Sequence, residues 1–102
     1  IDPTYENIQQ AKVLGVEWIE FHTGKYANIY AMLFSNLANT PHSILELELP
    51  RKELSSMLKE EINNLQVLSA KAIEIGLKVA AGHGLNYQNI EAIANIKSIK
   101  EL

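Results

Sequence analysis

Cysteine is absent from the 102 residues. That excludes disulfides, thiolate-bound metal and a cysteine nucleophile, and it fits a reducing compartment. Also missing is any apolar run near the roughly 20 residues that a membrane-spanning helix requires. No basic start followed by an apolar stretch marks a secretory signal. A surplus of positive charge is lacking too: nine Lys and Arg stand against twelve Asp and Glu, for a net charge of −3. Nucleic acid and anionic membranes reward clustered Lys and Arg, so neither is an expected partner. What is present is a chain 47% apolar, the composition of a globular domain expected in the cytoplasm. Its length suits one small domain at most.

The pattern along the chain is α/β. Asp2 is expected to cap a first helix with Pro3 at its first position, and Tyr5, Ile8, Ala11 and Leu14 recur at helical spacing up to Gly15. Val16 to His22 is rich in β-branched and aromatic residues and reads as a strand, with Val16, Trp18, Glu20 and His22 on one face. A helix is expected from Ala27 to about Leu37, and Ile44 to Leu49 reads as a connector. The strongest helix runs from about Lys52 to Ile75. Its apolar stripe is Leu54, Met57, Leu58, Ile62, Leu65, Leu68 and Ile73, its solvated side Lys52, Glu53, Lys59, Glu60 and Glu61, and Gly76 suits a left-handed stop. Leu77 to Ala81 is the second strand, and a last helix spans about Tyr87 to Ile96 with Asn86 as its cap. Such alternation implies a parallel sheet with helical crossovers. Two strands cannot bury their faces alone. Ile1 is no initiator methionine, and a new apolar segment only begins at Ile99. Residues 1–102 are therefore expected to be a single partial domain cut at both ends.

In parallel α/β folds, function gathers at the C-terminal ends of strands. Two such ends occur, Ile19-Glu20-Phe21-His22-Thr23-Gly24 and Ala80-Ala81-Gly82-His83-Gly84-Leu85. A carboxylate such as Glu20 in an apolar strand costs several kcal/mol if buried unpaired. It serves either a salt bridge or hydrogen bond within the sheet, or a closed site where it stabilises a cationic intermediate or transfers protons. His83 lies between two glycines that let the backbone approach a ligand, and the N–H groups of Gly84 and Leu85 suit phosphate. It is either a turn histidine or a proton carrier. His22 suits capping or support more than direct catalysis, with Thr23 and Gly24 lining the same rim. His42 sits beside Pro41 in a polar connector and is expected to be solvated. The histidines lack the i, i+4 pairing of a helix-borne metal site, so no metal is expected.

Taken together, Ile19-Glu20-Phe21-His22-Thr23-Gly24 with Tyr26-Ala27, and Gly76-Leu77-Lys78-Val79 with Ala81-Gly82-His83-Gly84-Leu85-Asn86-Tyr87 and Asn89, resemble the pyridoxine 5′-phosphate synthases. The resemblance spans nearly the whole chain, and Asn28 to Arg51 matches least. It implies part of a (β/α)8 TIM barrel, from the end of strand 5 to the start of strand 8. It implies a cofactor-free and metal-free condensation of 3-amino-2-oxopropyl phosphate with 1-deoxy-D-xylulose 5-phosphate, in a homo-oligomer. By motif, His83 corresponds to the proton donor, Glu20 to the transition-state stabiliser and Gly84 to a substrate contact, with His22, Thr23 and Gly24 in support. The family's histidine base, second glutamate, phosphate-gripping arginines and later Gly-His pair are not among these residues, so the segment alone is expected to be inactive. Two other readings compete: another phosphate-handling barrel lyase or isomerase, and a non-catalytic α/β interaction module.

Overall fold

The computed structural model describes residues 1–34, 47, 49–86 and 88–102. Their order is α1 (Tyr5–Leu14), β1 (Trp18–His22), α2 (Gly24–Phe34), α3 (Arg51–Glu74), β2 (Lys78–Gly82), α4 (Ile90–Ala94) and β3 (Ile99–Glu101). The strands form one parallel sheet in the order β1-β2-β3, as the alternating pattern requires. Beyond β1, the Ile1 N–H group donates to Glu20 O and His22 N donates to Ile1 O at 2.7 Å. One residue bonded to two positions spaced this way is the pattern of a parallel neighbour. Ile1 thus runs alongside β1 without being a strand of the sheet.

The alternation of β1 sends Ile19 and Phe21 to one face, where Val79 and Ala81 of β2 join them. That face is covered by Leu65, Leu68 and Ala72 of α3, Ile8 and Ala11 of α1, and Ile93 and Ile96 around α4. Leu65 is fully buried, and burial of a leucine side chain is worth about 1.5–3 kcal/mol. A second cluster joins Met32 and Leu33 of α2 to Leu54 of α3. The opposite sheet face, with Trp18, Glu20, His22 and Lys78, is exposed.

Several expected boundaries move. Thr4, not Asp2, caps α1: it is extended (φ −131°, ψ 152°) and its hydroxyl accepts from Asn7 N at 3.2 Å, which leaves Pro3 outside the helix. Asp2 contributes only its carbonyl, to Thr4 N and the Asn7 amide. Val16 and Glu17 precede β1 rather than joining it, and β2 lies one residue later than expected. α2 starts at Gly24, directly on leaving β1, three residues before the expected start. Its expected continuation to Leu37, the connector up to Leu49 except residues 47 and 49, and His42 lie outside the described residues. α4 is five residues long, far shorter than the expected span. Gly15 and Gly76 stop their helices in the left-handed region, at φ 77° and 94°.

The stripe of α3 holds except at Ile73, which is exposed while Ala72 takes the core position. Glu61 is the larger departure. Expected on the solvated side, it is 6% exposed and meets Lys25 Nζ at 3.7 Å. The lysine belongs to α2, so the pair joins two helices.

Replacement of the α1 cap separates the two candidates for that role. Thr4→Ala should cost about 1 kcal/mol, read as a lower urea midpoint, whereas Asp2→Ala should leave the midpoint nearly unchanged.

Candidate active site

Parallel pairing sets Glu20 opposite Ala80 and His22 opposite Gly82, so β1 and β2 end level. The loops leaving them rise side by side. Thr23 joins these loops and is 1% exposed. Its N–H donates to Gly82 O at 3.0 Å, and its hydroxyl donates to His83 O at 2.9 Å. Its carbonyl accepts from Ala27 N at 2.9 Å and so opens α2. One residue ends a strand, starts a helix and holds the neighbouring loop.

Above this clamp the rings of His22 and His83 stack, with centroids 4.0 Å apart and planes inclined by 29°. Gly24 N donates to His22 Nδ1 at 3.3 Å. A Cβ on Gly24 would stand 2.5 Å from His22 Cε1 and 3.3 Å from His83 Cδ2, so only glycine leaves room for both rings. His83 itself has φ 104°, a conformation that costs a non-glycine residue about 1–3 kcal/mol and is concentrated at functional sites. Gly84 follows with φ 75°, and a Cβ there would lie 2.7 Å from the Ala27 Cβ. The turn therefore presses directly on α2.

His22, Gly24, Lys25, Asn28, His83 and Gly84 line a cavity of about 490 Å³ with Ala27 and Leu47. The expected residues His22, Thr23, Gly24, His83 and Gly84 are thus brought together. Glu20 is not part of this lining. It lies two residues back along the same face, and a Cβ on Gly82 would overlap its carboxylate. Glu20 stands on the open face of the sheet. Its carboxylate is exposed and has no partner among the described residues. Among those residues no group of three or more His, Asp or Glu side chains is arranged to hold a metal ion, and no helix is long and apolar enough to cross a membrane.

A second latch supports the turn from behind. Tyr26 is fully buried, and its hydroxyl donates to Asn89 O at 2.5 Å. The Asn89 side chain donates to Gly84 O at 3.1 Å and accepts from Asn86 N at 2.9 Å. The N-cap of α4 is Asn89, not Asn86 as expected, and its side chain makes no capping bond to the helix; the Asn86 side chain accepts from Gln88 N and Asn89 N in the preceding turn, and its carbonyl from Ile90 N. Burial, and then the neighbouring Tyr30, push the Tyr26 phenol up to about 12. Sequence reasoning misses this link and the Lys25–Glu61 pair. Tyr26 and Asn89 enter it only as members of motifs, and no local pattern joins residues 63 positions apart.

A family model described as pyridoxal phosphate biosynthesis protein PdxJ matches residues 1–102. The chain belongs to the PdxJ family. It is 63% identical over all its residues to a pyridoxine 5′-phosphate synthase of Sulfurovum sp., covering 40% of that protein. It is 58% identical to the synthase of Aliarcobacter butzleri and 52% identical to that of Sulfurimonas denitrificans, covering 39% of each. The PdxJ chain thus spans about two-fifths of the length of the curated relatives it matches. The PdxJ fold is a TIM barrel, with which this parallel α/β arrangement agrees.

Gly84 and Gly15 share nearly the same left-handed φ, but nothing lies within 4 Å of a Cβ on Gly15. Gly15→Ala should therefore cost about 1–2 kcal/mol for the backbone alone. Gly84→Ala should cost more by the displacement of α2, a difference that paired urea titrations measure.

Tyr26 generates a pH prediction. A phenol whose folded value stands above its unfolded one binds more protons in the folded state. Its contribution is complete below about pH 10 and is lost as pH rises through about 12. Tyr26→Phe should lower the unfolding free energy by about 1–2 kcal/mol at neutral pH. The gap to the wild type should close between those two values.

Proposed function

We propose that this chain is the segment of a pyridoxine 5′-phosphate synthase that supplies the proton donor and one stabilising carboxylate. The reaction joins 3-amino-2-oxopropyl phosphate to 1-deoxy-D-xylulose 5-phosphate, closes the pyridine ring and releases phosphate and water. No cofactor or metal is needed, because condensation and dehydration require only proton transfers that side chains can perform. The observation that carries the reading is the meeting of two strand ends. His83 is held at φ 104° over a cavity beside His22, and Gly84 turns its backbone towards the same space.

His83 gives a proton to a leaving oxygen during ring formation. Gly84, with no side chain in the way, contacts substrate through its backbone. Glu20, on the open face below, stabilises the iminium or protonated-amine charge that the condensation develops, while Thr23 and Gly24 shape the rim. An exposed Glu20 fits this role only when that face becomes the inside of a closed barrel, where low dielectric strengthens its effect on a cation. We place β1, β2 and β3 as strands 6, 7 and 8 of the barrel, and the pairing of Ile1 with β1 supports strand 5 as the neighbour. The single domain is then completed by other residues, and these 102 alone are expected to be inactive. The complete enzyme is proposed to be a cytoplasmic homo-oligomer.

Synthesis of pyridoxine 5′-phosphate by the full-length protein tests the reading. His83→Ala and Glu20→Gln should each lower kcat by about 10²–10⁴-fold with the far-ultraviolet circular dichroism and unfolding midpoint nearly unchanged. Near-normal synthesis by either variant would remove that residue from the mechanism. No synthesis by the wild type would remove the function.

A further inference from the structure

We infer that His22 is a positioning residue for His83, and that its stacked ring sets the direction in which the His83 imidazole presents its proton. The kinetic side of this inference rests on the reading of His83 as proton donor. The geometric side does not.

The His83 backbone is pinned on each side. Its carbonyl is held by the Thr23 hydroxyl at 2.9 Å, the Gly82 carbonyl by Thr23 N at 3.0 Å, and the Gly84 carbonyl by the Asn89 amide at 3.1 Å. The ring is another matter. Neither ring nitrogen of His83 has a hydrogen-bond partner among the described residues. An imidazole on a fixed backbone still turns about two side-chain torsions, and proton transfer depends on orientation. The surface that restricts those torsions is the face of His22, 4.0 Å away and inclined by 29°.

His22 is itself fixed, which a supporting surface must be. It stands at the last position of β1, opposite Gly82. Its Nδ1 accepts from Gly24 N at 3.3 Å, so the neutral ring carries its proton on Nε2 and cannot flip without losing that bond. Gly24 borders both rings: a notional Cβ there would stand 2.5 Å from His22 Cε1 and 3.3 Å from His83 Cδ2. A capping function alone does not explain the choice of residue, because Asn, Asp or Ser also accepts an N–H bond at a helix start. The aromatic face is what those residues lack and what His83 uses.

Three variants of the full-length protein separate the face from the acceptor. His22→Phe keeps a stacking ring without Nδ1, His22→Asn keeps an acceptor without the ring, and His22→Ala keeps neither. Expected are a fall in kcat of about ten- to a hundred-fold for His22→Ala and His22→Asn with KM unchanged, and recovery of most of that loss in His22→Phe. In a His83→Ala background, His22→Ala should cost nothing further, since a positioning residue acts only through its partner. Equal losses in all three variants, an effect confined to KM, or a full additional loss without His83 would each overturn the inference. If the wild type makes no pyridoxine 5′-phosphate, the functional reading fails and the geometric claim is decided by nuclear magnetic resonance. The His83 ring protons should shift on His22→Asn, with loss of the ring current, and shift much less on His22→Phe. Unchanged His83 signals in His22→Asn would refute the stack.

Discussion

Thr23 is the joint on which the rest of the site depends. Its backbone completes the β1–β2 pairing, its carbonyl begins α2, and its hydroxyl reaches across to the carbonyl of His83. These bonds lie in a position 1% exposed to solvent, where losing a partner is costly because water does not replace it. A threonine just before a helix commonly caps it with its hydroxyl. Here that hydroxyl is directed to the neighbouring loop, and the first helical N–H is met by His22 Nδ1 instead. The exchange frees the Thr23 hydroxyl of one strand end to hold the backbone of the other.

The turn that carries His83 is held against its own preference. A histidine at φ 104° and a glycine at φ 75° follow one another, and local energetics alone would not select this shape. It persists because Asn89 grips the Gly84 carbonyl and the buried Tyr26 hydroxyl grips Asn89 in turn. The reach from α2 to the segment before α4 passes behind the turn. Strain stored at the site is thus offset by hydrogen bonds outside it.

Core and chemistry occupy opposite faces of the sheet. Ile19, Phe21, Val79 and Ala81 hold the helices, while Glu20 and His22 alternate onto the open side. The period of two along β1 made this division legible in advance, as did the strand-end positions of His22 and His83. Their contact was not legible. Register decides it: a slip of one residue between β1 and β2 would put Gly82 opposite Phe21 or Thr23 and separate the rings. Glu61 shows the same limit for charge, since its sequence neighbours Glu60 and Lys59 are exposed while it is buried and paired with Lys25 from another helix.

The amino-acid sequence by itself determined the α/β alternation, the parallel strands, the glycine stops at Gly15 and Gly76, and the two motifs that belong to PdxJ. Each of these follows from short-range periodicity, from backbone freedom at single positions or from a motif quoted whole. Tertiary structure decided the cap at Thr4, the burial of Glu61, the Tyr26–Asn89 latch and the stacking of His22 on His83. Those depend on competition between nearby acceptors or on contacts across about 35 to 65 residues of chain, as for Lys25–Glu61 and Tyr26–Asn89. Distances of that kind are set by packing and register, which no local pattern encodes.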